Sequence, residues 1–117
     1  MKGSSGYQSV MRLSKSPMYH IGEIISSWLD VTYACYLVQI DPVTQSDFYA
    51  TSVRDVLIRE KPGHQWFPGL TKLVEYCILE KSTIGRGGGK RDKPRYKLAD
   101  RSGVALALHE LGYPISL

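Results

Sequence analysis

The apolar positions fall into blocks of helical period, separated by proline and glycine. Ile21, Ile24, Ile25 and Trp28 recur at helical steps behind Ser16 and Pro17. That pair is a capping hydroxyl followed by a proline in the first turn, where a missing N–H leaves no bond unmade. The run VTYACYLVQI that follows reads two ways. Its β-branched and aromatic content suits a strand, yet Val31, Ala34, Cys35 and Val38 continue the helical stripe. The stripe predicts helix over 17–40, with Asp30 as the point of any break. Asp41 and Pro42 end it, because a residue before proline is pushed out of the helical region. Residues 1–16, rich in glycine and serine, are expected to be a flexible tail; a basic arm that touches nucleic acid through Lys2, Arg12 and Lys15 is the weaker alternative.

After a polar turn, Phe48, Tyr49 and Ala50 predict a very short strand. Thr51 or Ser52 then caps a helix to Glu60 with Val53, Val56 and Leu57 inward. A single helix over 46–60 is the competing reading. Lys61, Pro62 and Gly63 break the chain. The next helix is expected over 64–76, with Pro68 in its first turn and Leu70, Leu73, Val74 and Cys77 as its buried stripe. Residues 78–84 alternate as a strand, 85–93 form a glycine-rich tip, and 94–98 return as a second strand. Asp100 or Ser102 caps a last helix carrying Val104, Leu106, Leu108 and Leu111. Gly112 ends that helix and Pro114 prevents its resumption.

A chain of 117 residues is one domain by length. Two cysteines are too few for a disulfide scaffold, and the apolar surroundings of Cys35 and Cys77 place both in a reduced core. MKGSSGYQS lacks the apolar stretch of a secretory signal. VTYACYLVQI is about half of the ~20 residues needed to span a bilayer. A cytoplasmic protein without membrane contact is expected.

Charge changes the picture most. From Lys81 to Arg101 eight bases face Asp92 and Asp100, a balance of +6. The whole chain, fifteen bases against eleven acids, is +4, so everything outside that segment sums to −2. A basic, glycine-rich finger on a mildly acidic body suits a polyanion, nucleic acid first. The glycines from Gly85 to Gly89 before Lys90 do not make a phosphate loop, since one spacer residue is missing and Arg91 stands where Ser or Thr is required. Cys35, Cys77, His20, His64 and His109 are too dispersed for zinc, and no side chains pair for nucleophilic or acid–base catalysis. No enzyme activity, metal or cofactor is expected.

The order helix, short strand, helix, turn, helix, strand, loop, strand, helix resembles the winged helix-turn-helix. Leu73, Ile78, Leu79, Arg95, Tyr96, Lys97, Leu98 and Gly103 carry the likeness. In the multiple-antibiotic-resistance and phenolic-acid-type bacterial regulators, a leucine–x–x–x–glycine–leucine–isoleucine stretch closes the recognition helix. A basic wing and an aromatic–x–leucine–threonine stretch follow. Cys77 stands where those families usually have glycine; a left-handed cap would cost it ~1 kcal/mol or more, so a different helix exit is expected here. The resemblance spans about residues 51–111.

The resemblance implies a mainly α fold with a small β-hairpin wing and an extra N-terminal helical segment. The domain runs over 17–117: helices in 17–40, helix-turn-helix 51–77, wing 78–99 and C-terminal helix 100–112. It implies sequence-specific binding of double-stranded DNA, transcriptional regulation, nucleoid association, and a homodimer supported by the N-terminal helices. The third helix would enter the major groove with Gln65, Thr71 and Lys72, Gln suiting adenine and Lys guanine. The wing would meet the minor groove or phosphates with Arg86, Lys90, Arg91 and Lys93, and Arg95 at its base. Two other functions fit the same pattern: an accessory or initiator protein of plasmid or phage replication, recombination or packaging, and a protein-interaction module that does not bind DNA.

Overall fold

The computed structural model describes residues 5–15, 23–39, 47–61, 69–82 and 94–116, with the backbone alone over 23–27. In chain order the elements are α1 (Ser5–Ser14), α2 (Glu23–Val38), β1 (Phe48–Tyr49), α3 (Ala50–Glu60), α4 (Thr71–Glu75), β2 (Leu79–Ser82), β3 (Arg95–Leu98) and α5 (Arg101–Glu110). The described chain is mainly helical, with one small antiparallel sheet in the order β1-β3-β2.

The tail expected over 1–16 is, in its described part, the helix α1. Gly6, Ser9, Val10 and Leu13 are buried on one side of it, and this face lies along α5. The two helices meet where α5 begins. Asp100, the N-cap of α5, accepts from Gly103 N at 3.1 Å through Oδ1 and from Gly6 N at 2.9 Å through Oδ2. One carboxylate therefore serves the orphan N–H groups of two helix starts. Gly6 permits this approach: a Cβ there would stand 2.6 Å from the Asp100 carbonyl oxygen. At the far end of α5 the Tyr7 hydroxyl donates to Glu110 Oε1 at 2.7 Å.

The ambiguous run VTYACYLVQI is helical as far as Val38, and α2 passes Asp30 without a break. Trp28, Leu29, Val31, Tyr33, Ala34 and Cys35 are buried. Thr32 is buried too, its hydroxyl donating to Trp28 O at 2.9 Å. A helix apolar on most sides belongs in the middle of a core, and burial there outweighs the strand propensity of its β-branched residues. Burial also pushes the Cys35 thiol well above its usual range. Both N-terminal helices thus contribute to this chain's own core.

β1 is two residues long and α3 starts directly behind it. Phe48 pairs with Tyr96 and Tyr49 with Arg95. Because β1 runs out there, a side chain takes over its role further along β3: Gln39 Oε1 accepts from Leu98 N at 2.8 Å. The Gln39 carbonyl accepts from Arg101 Nε at 2.7 Å, and the guanidinium lies 4.2 Å from the Tyr36 ring centre. α2, β3 and α5 are pinned at this junction.

The helix expected over 64–76 is shorter in its described part. Gly69 has φ +81, outside the helical region, and α4 opens only at Thr71; residues 64–68 lie outside the described chain. Its exit follows the Schellman pattern, with Ile78 N bonded to Leu73 O at 2.9 Å and Cys77 N to Val74 O at 3.0 Å. Cys77 takes φ +63, the position that favours glycine, so the exit does not differ as expected: the two closing hydrogen bonds hold the residue left-handed despite its side chain. Its thiol is exposed, which corrects the expectation of a core cysteine: the left-handed turn carries the side chain outward while Leu73 and Ile78 meet in the core. The same pattern with Gly112 at φ +99 closes α5. Beyond it, the Tyr113 hydroxyl donates to Asp30 Oδ1 at 2.7 Å and its ring lies 5.0 Å from that of Tyr33.

Candidate nucleic-acid interface

The hairpin β2–β3 supports the basic loop. Its register pairs Leu79 with Leu98, Glu80 with Lys97, Lys81 with Tyr96 and Ser82 with Arg95. Side chains alternate across a strand, so Leu79, Leu98, Tyr96 and Phe48 face the core. The opposite face carries Tyr49, Arg95 and Ser82 in one row and Lys97 and Glu80 in the next. Asp47, Arg95, Ser82, Lys81 and Lys97 help line a shallow depression of about 310 Å³ on the sheet.

This outer face is polar but electrically balanced. Arg95 Nε donates to the Tyr49 hydroxyl at 3.1 Å, its guanidinium lies 5.3 Å from that ring centre, and Nη1 is 3.8 Å from Asp47 Oδ2. The hydrogen bond it donates to Tyr49, then the charges of Tyr49 and Asp47, hold the guanidinium pKa above its ordinary value. Lys97 Nζ is 3.6 Å from Glu80 Oε1. Arg95, expected to meet DNA from the base of the wing, is in this structure engaged by its own sheet.

On α4, Thr71 is exposed. Lys72 is half-buried, with Nζ 3.5 Å from Glu75 Oε1 and 6.0 Å from the Tyr76 ring centre. Gln65 and the wing residues Arg86, Lys90, Arg91 and Lys93 lie outside the described residues. Of the eight expected contacts the described chain therefore carries Thr71, Lys72 and Arg95, on two surfaces: one helix and the outer face of the sheet.

The cation–aromatic pairs escaped sequence reading, among them Tyr49 with Arg95 and Tyr76 with Arg12. Arg12 reaches Tyr76 from α1, its guanidinium 5.4 Å from the ring centre and Nη2 donating to Tyr76 O at 3.3 Å. Its signal in the sequence was faint, because α1 itself was read as a tail. Among the described residues no group of three His, Cys, Asp or Glu side chains is placed to hold a metal ion, and no helix is long and apolar enough to cross a membrane.

No known protein family, curated protein or solved structure matches the chain.

Proposed function

We propose that the protein is a winged helix-turn-helix that binds double-stranded DNA in a sequence-specific way, as a transcriptional regulator in the cytoplasm. The observation that carries this reading is the pairing of β1 onto β3, giving the order β1-β3-β2, with α3 and α4 lying between β1 and β2 in the chain. In a winged helix this arrangement sets a helix beside a protruding hairpin, so that both can meet one duplex. Two further features support it. Cys77 adopts the left-handed exit that the regulators it resembles make with glycine. The loop between β2 and β3 holds Arg86, Lys90, Arg91 and Lys93 against Asp92 alone. Gln65, Thr71 and Lys72 are the residues assigned to the major groove, and a homodimer on two half-sites is part of the reading.

The test is duplex binding across a salt series. A wing that neutralises a few phosphates gives a log–log slope of ~−3 to −5, at about −0.9 per phosphate. Changing Arg86, Lys90 and Arg91 together to Ala weakens binding to every duplex and flattens that slope. Selection from a random duplex pool returns a palindromic consensus if the binding unit is a symmetric dimer.

One observation favours a second reading, a protein-interaction module. Lys72 and Arg95 are engaged with Glu75 and Asp47 of the same chain, which lowers their value to phosphates. Failure to bind any duplex at low salt selects that reading.

A further inference from the structure

We infer that the end of α1 is a second phosphate contact: Arg12 and Lys15 grip the backbone of the duplex beside α4. This rests on the DNA-binding reading and adds to it a surface that the winged-helix pattern does not contain.

The first support is the distribution of charge. Residues 1–22 hold Lys2, Arg12 and Lys15 and no acid, the first carboxylate being Glu23, so this segment is +3. Residues 83–93, with four bases against Asp92, are also +3. The chain totals +4, so the remainder is −2. Its excess positive charge thus resides in two segments, the loop already assigned to the wing and the one that contains α1.

The second support is how that charge is displayed. Arg12 and Lys15, three residues apart, are exposed on one side of α1, while Gly6, Val10 and Leu13 occupy the buried side. Elsewhere on the described chain Arg54, Arg59, Lys61, Lys72, Arg95 and Lys97 each lie within 4.0 Å of a carboxylate; Arg101, which has none, is engaged by Gln39 O and the Tyr36 ring, and Lys81 stands alone on the hairpin. Among the described residues Arg12 and Lys15 have no such carboxylate. A helix C-terminus favours cations by its dipole, which accounts for their sign but not for the lack of any acid beside them.

The third support is position. Arg12 is oriented by its bond to Tyr76 O and by the Tyr76 ring, and that tyrosine directly follows α4. Lys72 lies over the same ring at 6.0 Å. With Thr71 and Lys72 of α4 in the groove, the flanking phosphates run past Tyr76 to Arg12, with Lys15 one turn further on. The guanidinium is held at one edge by Tyr76 and keeps donors for a phosphate oxygen.

The experiment is the same salt series on Arg12→Gln, Lys15→Gln and the double variant, with circular dichroism as the control of folding. The double variant is expected to bind duplex with a slope shallower by ~1–2, from about 0.9 per lost phosphate contact, and with an unchanged preferred sequence. Arg12→Lys keeps the charge and is expected to keep the slope. If wild type binds with a steep slope and the folded double variant matches it, the inference is overturned and the DNA reading stands. If Arg12→Gln loses the fold, Lys15→Gln decides alone, since that side chain makes no hydrogen bond or ion pair among the described residues; an unchanged slope overturns the inference. If wild type binds no duplex at low salt, both the reading and the inference fall.

Discussion

Two residues carry more of the structure than their size suggests. Gly6 sits where a methyl group would meet Asp100, 2.6 Å from its carbonyl oxygen and 2.8 Å from its Cβ. In an open helix Gly→Ala gains about 0.5–1 kcal/mol. Here Gly6→Ala is expected to lose ~1–3 kcal/mol, because α1 must shift away and give up its bond to the carboxylate. Urea unfolding measures the sign, and a more stable variant would show that the two helices do not approach so closely. Cys77 gives the opposite case. A non-glycine residue at φ +63 is strained by ~1–2 kcal/mol, part of which glycine returns as extra freedom of the unfolded chain. Cys77→Gly is therefore expected to gain about 0.5–1 kcal/mol by the same assay, without change in the far-ultraviolet spectrum.

At the scale of elements, short β1 makes the junction at Gln39 necessary. Leu98 N–H is buried and has a side-chain acceptor in place of a strand. Gln39→Leu leaves that donor unsatisfied and is expected to lower stability by ~1–3 kcal/mol, with hydrogen exchange at Leu98 accelerated well beyond that at Lys97. The elements legible in the sequence were those with local punctuation. Asp100 and Gly112 bracket α5, a tyrosine and phenylalanine pair makes β1, and alternation marks β2 and β3. α1 was not legible, because its buried side is Gly6, Ser9, Val10 and Leu13, a stripe too thin to outvote a glycine- and serine-rich composition. Only packing on α5 makes it a helix, and that partner is far away in the chain. The late start of α4 was missed for a similar reason: the backbone at Gly69 turns left-handed where the apolar pattern continues. The candidate site was legible as charge in the loop, but not as pairing. Nothing local announces that Arg95 faces Asp47 or that Arg12 reaches Tyr76.

For the molecule as a whole, alkaline pH probes several elements at once. Tyr7 in α1, Tyr33 in α2 and Tyr96 in β3 all hold their protons above the ordinary value of 10.0. For Tyr33 and Tyr96 the main cause is burial; for Tyr7 it is the hydrogen bond to Glu110. The unfolded chain therefore ionises its phenols first. Their contribution to stability is complete below pH 10.0 and is lost as pH rises through the higher folded values. Denaturant midpoints are expected to start falling near pH 9.0, where the Cys35 thiol ionises only in the unfolded chain, and to fall more steeply beyond 10.0 as the tyrosines follow. Tyr96→Phe makes the fall less steep.

The clasp at Asp100 has a bearing on how the protein is made. Gly6 and its carboxylate acceptor are separated by 94 positions, which a ribosome adding ~5–20 residues per second covers in about 5–20 s. Throughout that interval Val10 and Leu13 lack α5, the element their helix packs against most. During synthesis α1 is thus a nascent segment open to chaperones, and the native body closes over it only when the last helix arrives.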